Sequence, residues 1–279
     1  MVAVVTDSAS NIPVDLAAEL GITVVPLHVR IGETVYRDGV DPSPADFYRR
    51  LAESGEDAST SASSPGDFVD AFDRSGQTDM VCVTVAEGMS SNHQHARLAA
   101  EQFPGRVEVV DSKSASMGEG FVALEAARIS AGGASVEEVV QRAIDVARKV
   151  TFVATVDTFE YLKRSGRVTK LQAYAATMLD IKPVFAFRDG NAIPVARGRT
   201  RRRALQRIVD EALKEIGNRR AHVAVVHAAA EEDARDVLAK VQAGTDVTES
   251  IVTEVTPVVG VHVGPGLVGT AFFCDEEEK

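Results

Sequence analysis

Two short apolar runs rich in β-branched residues, VAVVTD (2–7) and ITVVPLHV (22–29), flank the segment PVDLAAELG. Runs of this length ending in polar residues read as buried strands. The segment between them has Pro13 near its start, apolar residues on one face and Gly21 at its stop, which predicts a helix. A compact strand–helix–strand opening of this kind directs the chain toward an α/β architecture.

The same punctuation recurs downstream. Ser43-Pro44 with Asp46, and Ser64-Pro65 with Asp67, each predict a capped helix start: serine accepts from an open amide, proline fits the first turn and the acid completes a capping box. Phe47 and Phe68 then fall where core contacts belong. MVCVTV (80–85) and VEVVDS (107–112) read as further strands, with a helix from near Ser91 between them. An Ala-rich helix is expected over 117–129, and another after Ser135, whose partner in the cap is Glu138.

TFVATV (151–156) opens a different pattern. FEYLKRSG and TKLQAYAATML read as short helices, and KPVFAFRDGNAIPVARG as two strands joined at Asp189-Gly190-Asn191, a hairpin without a counterpart in the first half. A helix, a strand at AHVAVVHA, a helix from about Glu231 and two late apolar segments follow. The expected fold class is α/β, with an amino-terminal parallel-sheet α/β domain over 1–150 and a carboxy-terminal α+β domain over 151–279.

Composition narrows the function classes. Lys and Arg number 30 against 41 Asp and Glu, a net charge of −11, which with sparse aromatics disfavours nucleic-acid binding. Cys82 and Cys274 form no paired framework, so a reducing cytoplasm is the expected compartment. The start lacks the pattern of a signal peptide and no stretch is long and apolar enough for a membrane helix, which leaves at most peripheral membrane association.

Several polar clusters sit where a ligand is bound in open sheets. Asp7-Ser8 ends the first strand, where side chains face either a ligand crevice or a packed turn. Thr60 and Ser61 precede the Ser64 cap and can point toward an oxyanion, and Ser90 follows the third strand beside helix amides. His93 and His95, two positions apart, point to different helix faces and find no third ligand at diagnostic spacing, so no metal is expected. The arginines of RGRTRRRALQR neutralise a carboxylate, meet a phosphorylated partner or coat a helix. His262, before the GPG turn, is either a ligand donor or a core histidine. GPGLVG lacks the ending of a phosphate loop, and no cofactor is expected.

Taken together, VTDSASNIP, TSASSPGDF, GMSSNHQHA, YLKRSGRVTK, LDIKPVF and GVHVGPG resemble the DegV family of fatty-acid-binding proteins over roughly residues 2–273. The resemblance implies an acyl-binding cavity, a long-chain fatty acid as ligand, no catalysis by this chain, and a separate fatty-acid kinase that converts the presented carboxylate to acyl phosphate. Carried over residue by residue, it implies carboxylate contacts from Thr60, Ser61, Ser90, His262 and Arg199, with Arg201 as runner-up to Arg199. Ser91 and Asn92 stand where the family's LSGT-like segment has glycine and threonine. Ser165 replaces a glycine of the family's YLKxGGR segment, which retains Gly166 and Arg167. Ser8, Arg167 and Arg201 are further candidates for the pocket or a partner surface. The competing readings are an acyl-directed serine hydrolase built on Ser8 or Ser90 with His262, and an arginine-mediated interaction module.

Overall fold

The structure is a computed structural model that describes residues 1–41, 43–54, 58–167 and 181–275; the helix expected over TKLQAYAATML lies outside the described residues. The chain opens with β1 (Ala3–Asp7), α1 (Val14–Glu19) and β2 (Thr23–Val25), and β1 and β2 pair in parallel as the opening pattern requires.

The run ITVVPLHV is not one strand. Pro26 has no amide hydrogen and ends the ladder, so the chain leaves β2 and starts β3 (His28–Ile31) in another sheet. β3 turns through Gly32, at φ 55°, into β4 (Thr34–Arg37), so the first half also contains a hairpin, contrary to the sequence reading. After α2 (Pro44–Ser54), β5 (Ala58–Ser61) pairs antiparallel with the other edge of β3. This three-stranded sheet, β4-β3-β5, escaped the sequence reading because its strands are short and its third member is ASTS, a segment with little apolar signal.

The helix starts behave as their caps predict. α3 (Pro65–Ser75) carries the full Ser64–Asp67 capping box. It is followed by β6 (Asp79–Thr84), α4 (Asn92–Gln102), β7 (Arg106–Asp111), α5 (Met117–Ala131) and α6 (Val136–Lys149), the last with the Ser135–Glu138 box. The parallel sheet runs β2-β1-β6-β7. Its strands alternate: Val5, Met80 and Cys82 pack against Phe68 and Phe72 of α3 and Ala96 and Ala99 of α4. Val4, Val81 and Val83 face the opposite core, which includes α5.

The remaining elements are β8 (Thr151–Thr155), α7 (Glu160–Ser165), β9 (Lys182–Arg188), β10 (Asn191–Gly198), α8 (Arg201–Ile216), β11 (Ala221–His227), α9 (Glu231–Gly244), β12 (Val247–Glu254), α10 (Pro257–Val263) and β13 (Val268–Cys274). They build a mixed six-stranded sheet, β10-β9-β8-β13-β11-β12. Strand alternation again divides its two faces. Val153, Val184 and Ala186 pack under α8 and α9, whereas Phe152, Phe185 and Phe187 face the core shared with α5 and the amino-terminal sheets. α5 is buried along most of its length because it lies between the two large sheets.

Candidate functional site

β5 places Thr60 opposite Val29 and Ser61 opposite His28, at the edge of the small sheet. α10 brings His262 to that edge from the other end of the chain. Thr60 Oγ1 and His262 Nε2 lie 2.8 Å apart. Ser90, in the turn between β6 and α4, accepts a hydrogen bond from the Asn92 amide at 3.2 Å.

These residues border a cavity of about 860 Å³, including the space at its mouth. Thr60, Ser61, Ser90, Arg167 and His262 supply its polar edge, and Leu27, Leu162, Leu267 and the Phe152, Phe185 and Phe187 rings supply much of its apolar wall. The three rings share one side of the mixed sheet because Phe152 pairs across from Phe187, and Ala154 from Phe185.

α10 is held at both ends. Thr256 occupies its N-cap position without capping through its side chain. Instead Thr256 Oγ1 donates to Ser8 O at 3.3 Å and accepts from Asn11 Nδ2 at 3.0 Å. The open amide of Val258 donates to Asp38 Oδ1 at 2.9 Å, so a carboxylate 220 residues away serves as the cap. At the other end Gly264, at φ 70°, lies against α7: a Cβ there would sit 2.2 Å from Tyr161 Cδ2. The glycine turn after His262 is thus required by backbone conformation and close packing.

Burial, reinforced by the positive charge of Arg167, pushes the His262 imidazole down to about 4, so it is neutral at pH 7. Its Nδ1 is buried with no hydrogen-bond partner among the described residues. A neutral imidazole has one N–H. If Nε2–H donates to Thr60, the Thr60 hydroxyl proton is unused; if Thr60 donates to Nε2, the proton on Nδ1 is unused. Only the first arrangement leaves its spare donor, the Thr60 hydroxyl, on a side chain that borders the cavity; in the second the spare proton is on the buried Nδ1.

Arg167 is exposed at the mouth and donates to Ser165 O at 2.8 Å. Ser8 does not line the cavity; its Oγ accepts from the amide of Leu27, which does. Arg199, expected at the carboxylate, lies elsewhere. It is absent from the cavity wall and borders a separate hollow with Arg197, Arg203 and Arg207. The reason is positional: Arg199 leads into α8, which packs on the face of the mixed sheet opposite the phenylalanines. Arg201 is also outside the cavity. It pairs with Asp157 at 2.8 Å and Asp233 at 2.6 Å and donates to Gly266 O at 2.8 Å, bracing the turn after His262.

The histidines of α4 have protein partners: His93 Nδ1 lies 3.1 Å from Thr84 Oγ1, and His95 Nδ1 lies 2.6 Å from Ser63 O. Among the described residues no group of three or more His, Cys, Asp or Glu side chains is placed to hold a metal ion. Nor is any described helix long and apolar enough to cross a membrane. Asp38 went unnoticed in the sequence, and Asn92 was seen only as a departure from the LSGT-like segment, because their roles depend on partners brought from distant segments.

A family model described as an uncharacterised protein of the DegV family matches residues 1–275. A DegV domain-containing protein of Mycobacterium tuberculosis is 34% identical over 273 residues, covering 96% of this chain and 95% of its own. One from Streptomyces coelicolor is 32% identical over 272 residues, covering 96% of each. Among solved structures, a DegV family protein from Thermus thermophilus, described for fatty-acid binding, superimposes with a TM-score of 0.93 at 31% identity, over 98% of this chain and 99% of that one. DegV of Bacillus subtilis, described as a fatty acid binding protein, gives a TM-score of 0.87 at 26% identity over 98% and 99% of the two chains. With the match extending over both large sheets and the cavity between them, this chain belongs to the DegV family.

Proposed function

We propose that this protein binds a long-chain fatty acid and presents its carboxylate to a separate fatty-acid kinase for acyl-phosphate formation. The observation that carries the reading is an apolar cavity whose mouth gathers Thr60, Ser61, Ser90, Arg167 and His262. An acyl tail gains ~0.8 kcal/mol for each fully buried CH₂, while a carboxylate buried without partners opposes entry. Hydroxyl donors at the mouth and a nearby guanidinium remove that opposition. The descriptions of the Thermus and Bacillus proteins as fatty-acid binders support the same ligand.

In this reading the chain is a cytoplasmic carrier and needs no catalytic group of its own. His262 is engaged with Thr60 and Ser90 with the Asn92 amide, so the contacts at the mouth favour ligand binding over a serine–histidine hydrolase pair. Arg197, Arg199 and Arg203 are exposed, without carboxylate partners among the described residues, and suit an acidic patch on the kinase. We place the boundary of the two units at residues 150 and 151, where the mixed sheet begins; α10 then returns to complete the site.

Native mass spectrometry of the purified protein tests the ligand: a near-stoichiometric long-chain acid is expected. An empty protein that also rejects added acids overturns the reading. Incubation of the loaded protein with a fatty-acid kinase and ATP tests the hand-off, with acyl phosphate as the expected product.

A further inference from the structure

Asn92 and His95 are three positions apart in α4, on one face of the helix, and both reach Ser63. The Ser63 amide donates to Asn92 Oδ1 at 3.1 Å. His95 Nδ1, which must carry a proton because a carbonyl only accepts, donates to Ser63 O at 2.6 Å. The Ser63 hydroxyl donates to Pro26 O at 2.9 Å. Every polar group of one residue is therefore engaged, and two helix side chains bind its backbone much as a neighbouring strand would.

Ser63 lies two and three residues after Ser61 and Thr60, and Asn92 lies two residues after Ser90. The two halves of the polar mouth come from separate loops, and the grip on Ser63 joins them through very short lengths of chain. The Asn92 amide also donates to Ser90 Oγ at 3.2 Å. With that acceptor position occupied, the Ser90 hydroxyl keeps its own proton for another oxygen. His93, between the two, turns away to Thr84.

We propose that Asn92 and His95 are positioning residues for the ligand carboxylate: by gripping the Ser63 backbone they hold the Thr60–Ser61 strand end at the distance from Ser90 that lets both sets of hydroxyls reach one carboxylate. The inference rests on the fatty-acid reading of the cavity. It assigns to α4 the spacing of the donors, while the apolar wall holds the tail independently. Loss of the grip lowers affinity for the acid and leaves the tail's contribution intact, because donor spacing affects only the head group.

The test compares palmitic acid with hexadecanol, which share a tail and differ in the head group. His95→Ala, a change that costs an α-helix nothing in propensity, is expected to weaken acid binding about tenfold and alcohol binding less than about twofold, the loss expected for one hydrogen bond to a charged group. His95→Gln, whose side-chain amide can donate to Ser63 O, is expected to restore most of the acid affinity. Equal losses for acid and alcohol, or no loss for either, overturn the proposal while leaving the fatty-acid reading intact. A wild-type protein that binds neither ligand overturns the fatty-acid reading and the proposal with it. Should His95→Ala fail to fold, His95→Leu against His95→Gln decides the matter by the same acid-to-alcohol ratio.

Discussion

Thr60 and His262 are 202 residues apart in the chain and joined by a 2.8 Å hydrogen bond between Oγ1 and Nε2. One belongs to the small amino-terminal sheet and the other to a helix that precedes the last strand of the mixed sheet. The mouth of the cavity therefore exists only when both ends of the chain are folded together. Thr60→Val leaves His262 Nε2 without its partner, and acid affinity is expected to fall about tenfold, or about 1.4 kcal/mol. Calorimetric titration of Thr60→Val, His262→Asn and the double variant should give losses that are less than additive. Strictly additive losses would mean that the two side chains act separately.

The cavity wall sets how much tail is sheltered. Val259 lies on α10 and faces the cavity. Val259→Phe fills part of the cavity, and if it removes the room for the last three methylenes of the tail the loss is about 2.4 kcal/mol. Displacement of a fluorescent acid should show a larger loss for an eighteen-carbon ligand, roughly in proportion to that term, than for one three carbons shorter. Equal losses across chain length would place the added ring outside the tail's path.

Asp38 couples the site to pH. Burial raises its carboxyl to about 6, against the lowering effect of hydrogen bonds from Ser8, the Val258 amide and Thr256; the nearby Asp7 adds to the rise. Because the folded state holds this proton more tightly than the unfolded chain, its contribution is full below the unfolded value of 3.8 and is lost as pH rises from there to about 6. Asp38→Asn keeps an oxygen for Val258 and removes the titration. Relative to wild type it should gain stability, on the order of 3 kcal/mol, between pH 3.8 and 7 in denaturant melts. A constant difference across that range would contradict the assignment.

His222 titrates with the same sign but for a different reason: its carboxylate partners favour the charged form, whereas burial favours the neutral form of Asp38. Its Nδ1 lies 2.9 Å from Glu249 and its Nε2 3.1 Å from Asp275, and only an imidazolium can donate from both nitrogens. Burial opposes the charge, but the two carboxylates outweigh it and raise the group, while Glu249, shared with Arg128 of α5, is held down to about 2. The stabilisation is present below the unfolded value of 6.5 and is lost as pH rises through the raised folded value. Wild type should lose Tm between pH 6 and 9 and His222→Asn should lose less; parallel curves would refute the contribution.

Local chemistry carried far in the sequence. The Ser64–Asp67 and Ser135–Glu138 boxes and the Asp189-Gly190 hairpin turn act through neighbours a few residues away, so their patterns survive in one dimension. Pro26 was misread because the apolar run continues across it; its missing amide hydrogen breaks the ladder regardless of hydropathy. β5 was missed because its residues are polar and its strand character comes from pairing with β3.

What the sequence determined by itself was the α/β class with most of its longer strands and helices, the family, and a short set of polar residues of the right chemistry, since each is written in local composition or ordered motifs. Tertiary structure alone decided which of them meet. It set Arg167 beside His262 and sent Arg199 to the opposite face of the mixed sheet, because the side a residue faces follows from strand register and helix packing. Those are determined by partners well outside the local segment, such as His262 for Arg167, and no local pattern specifies them.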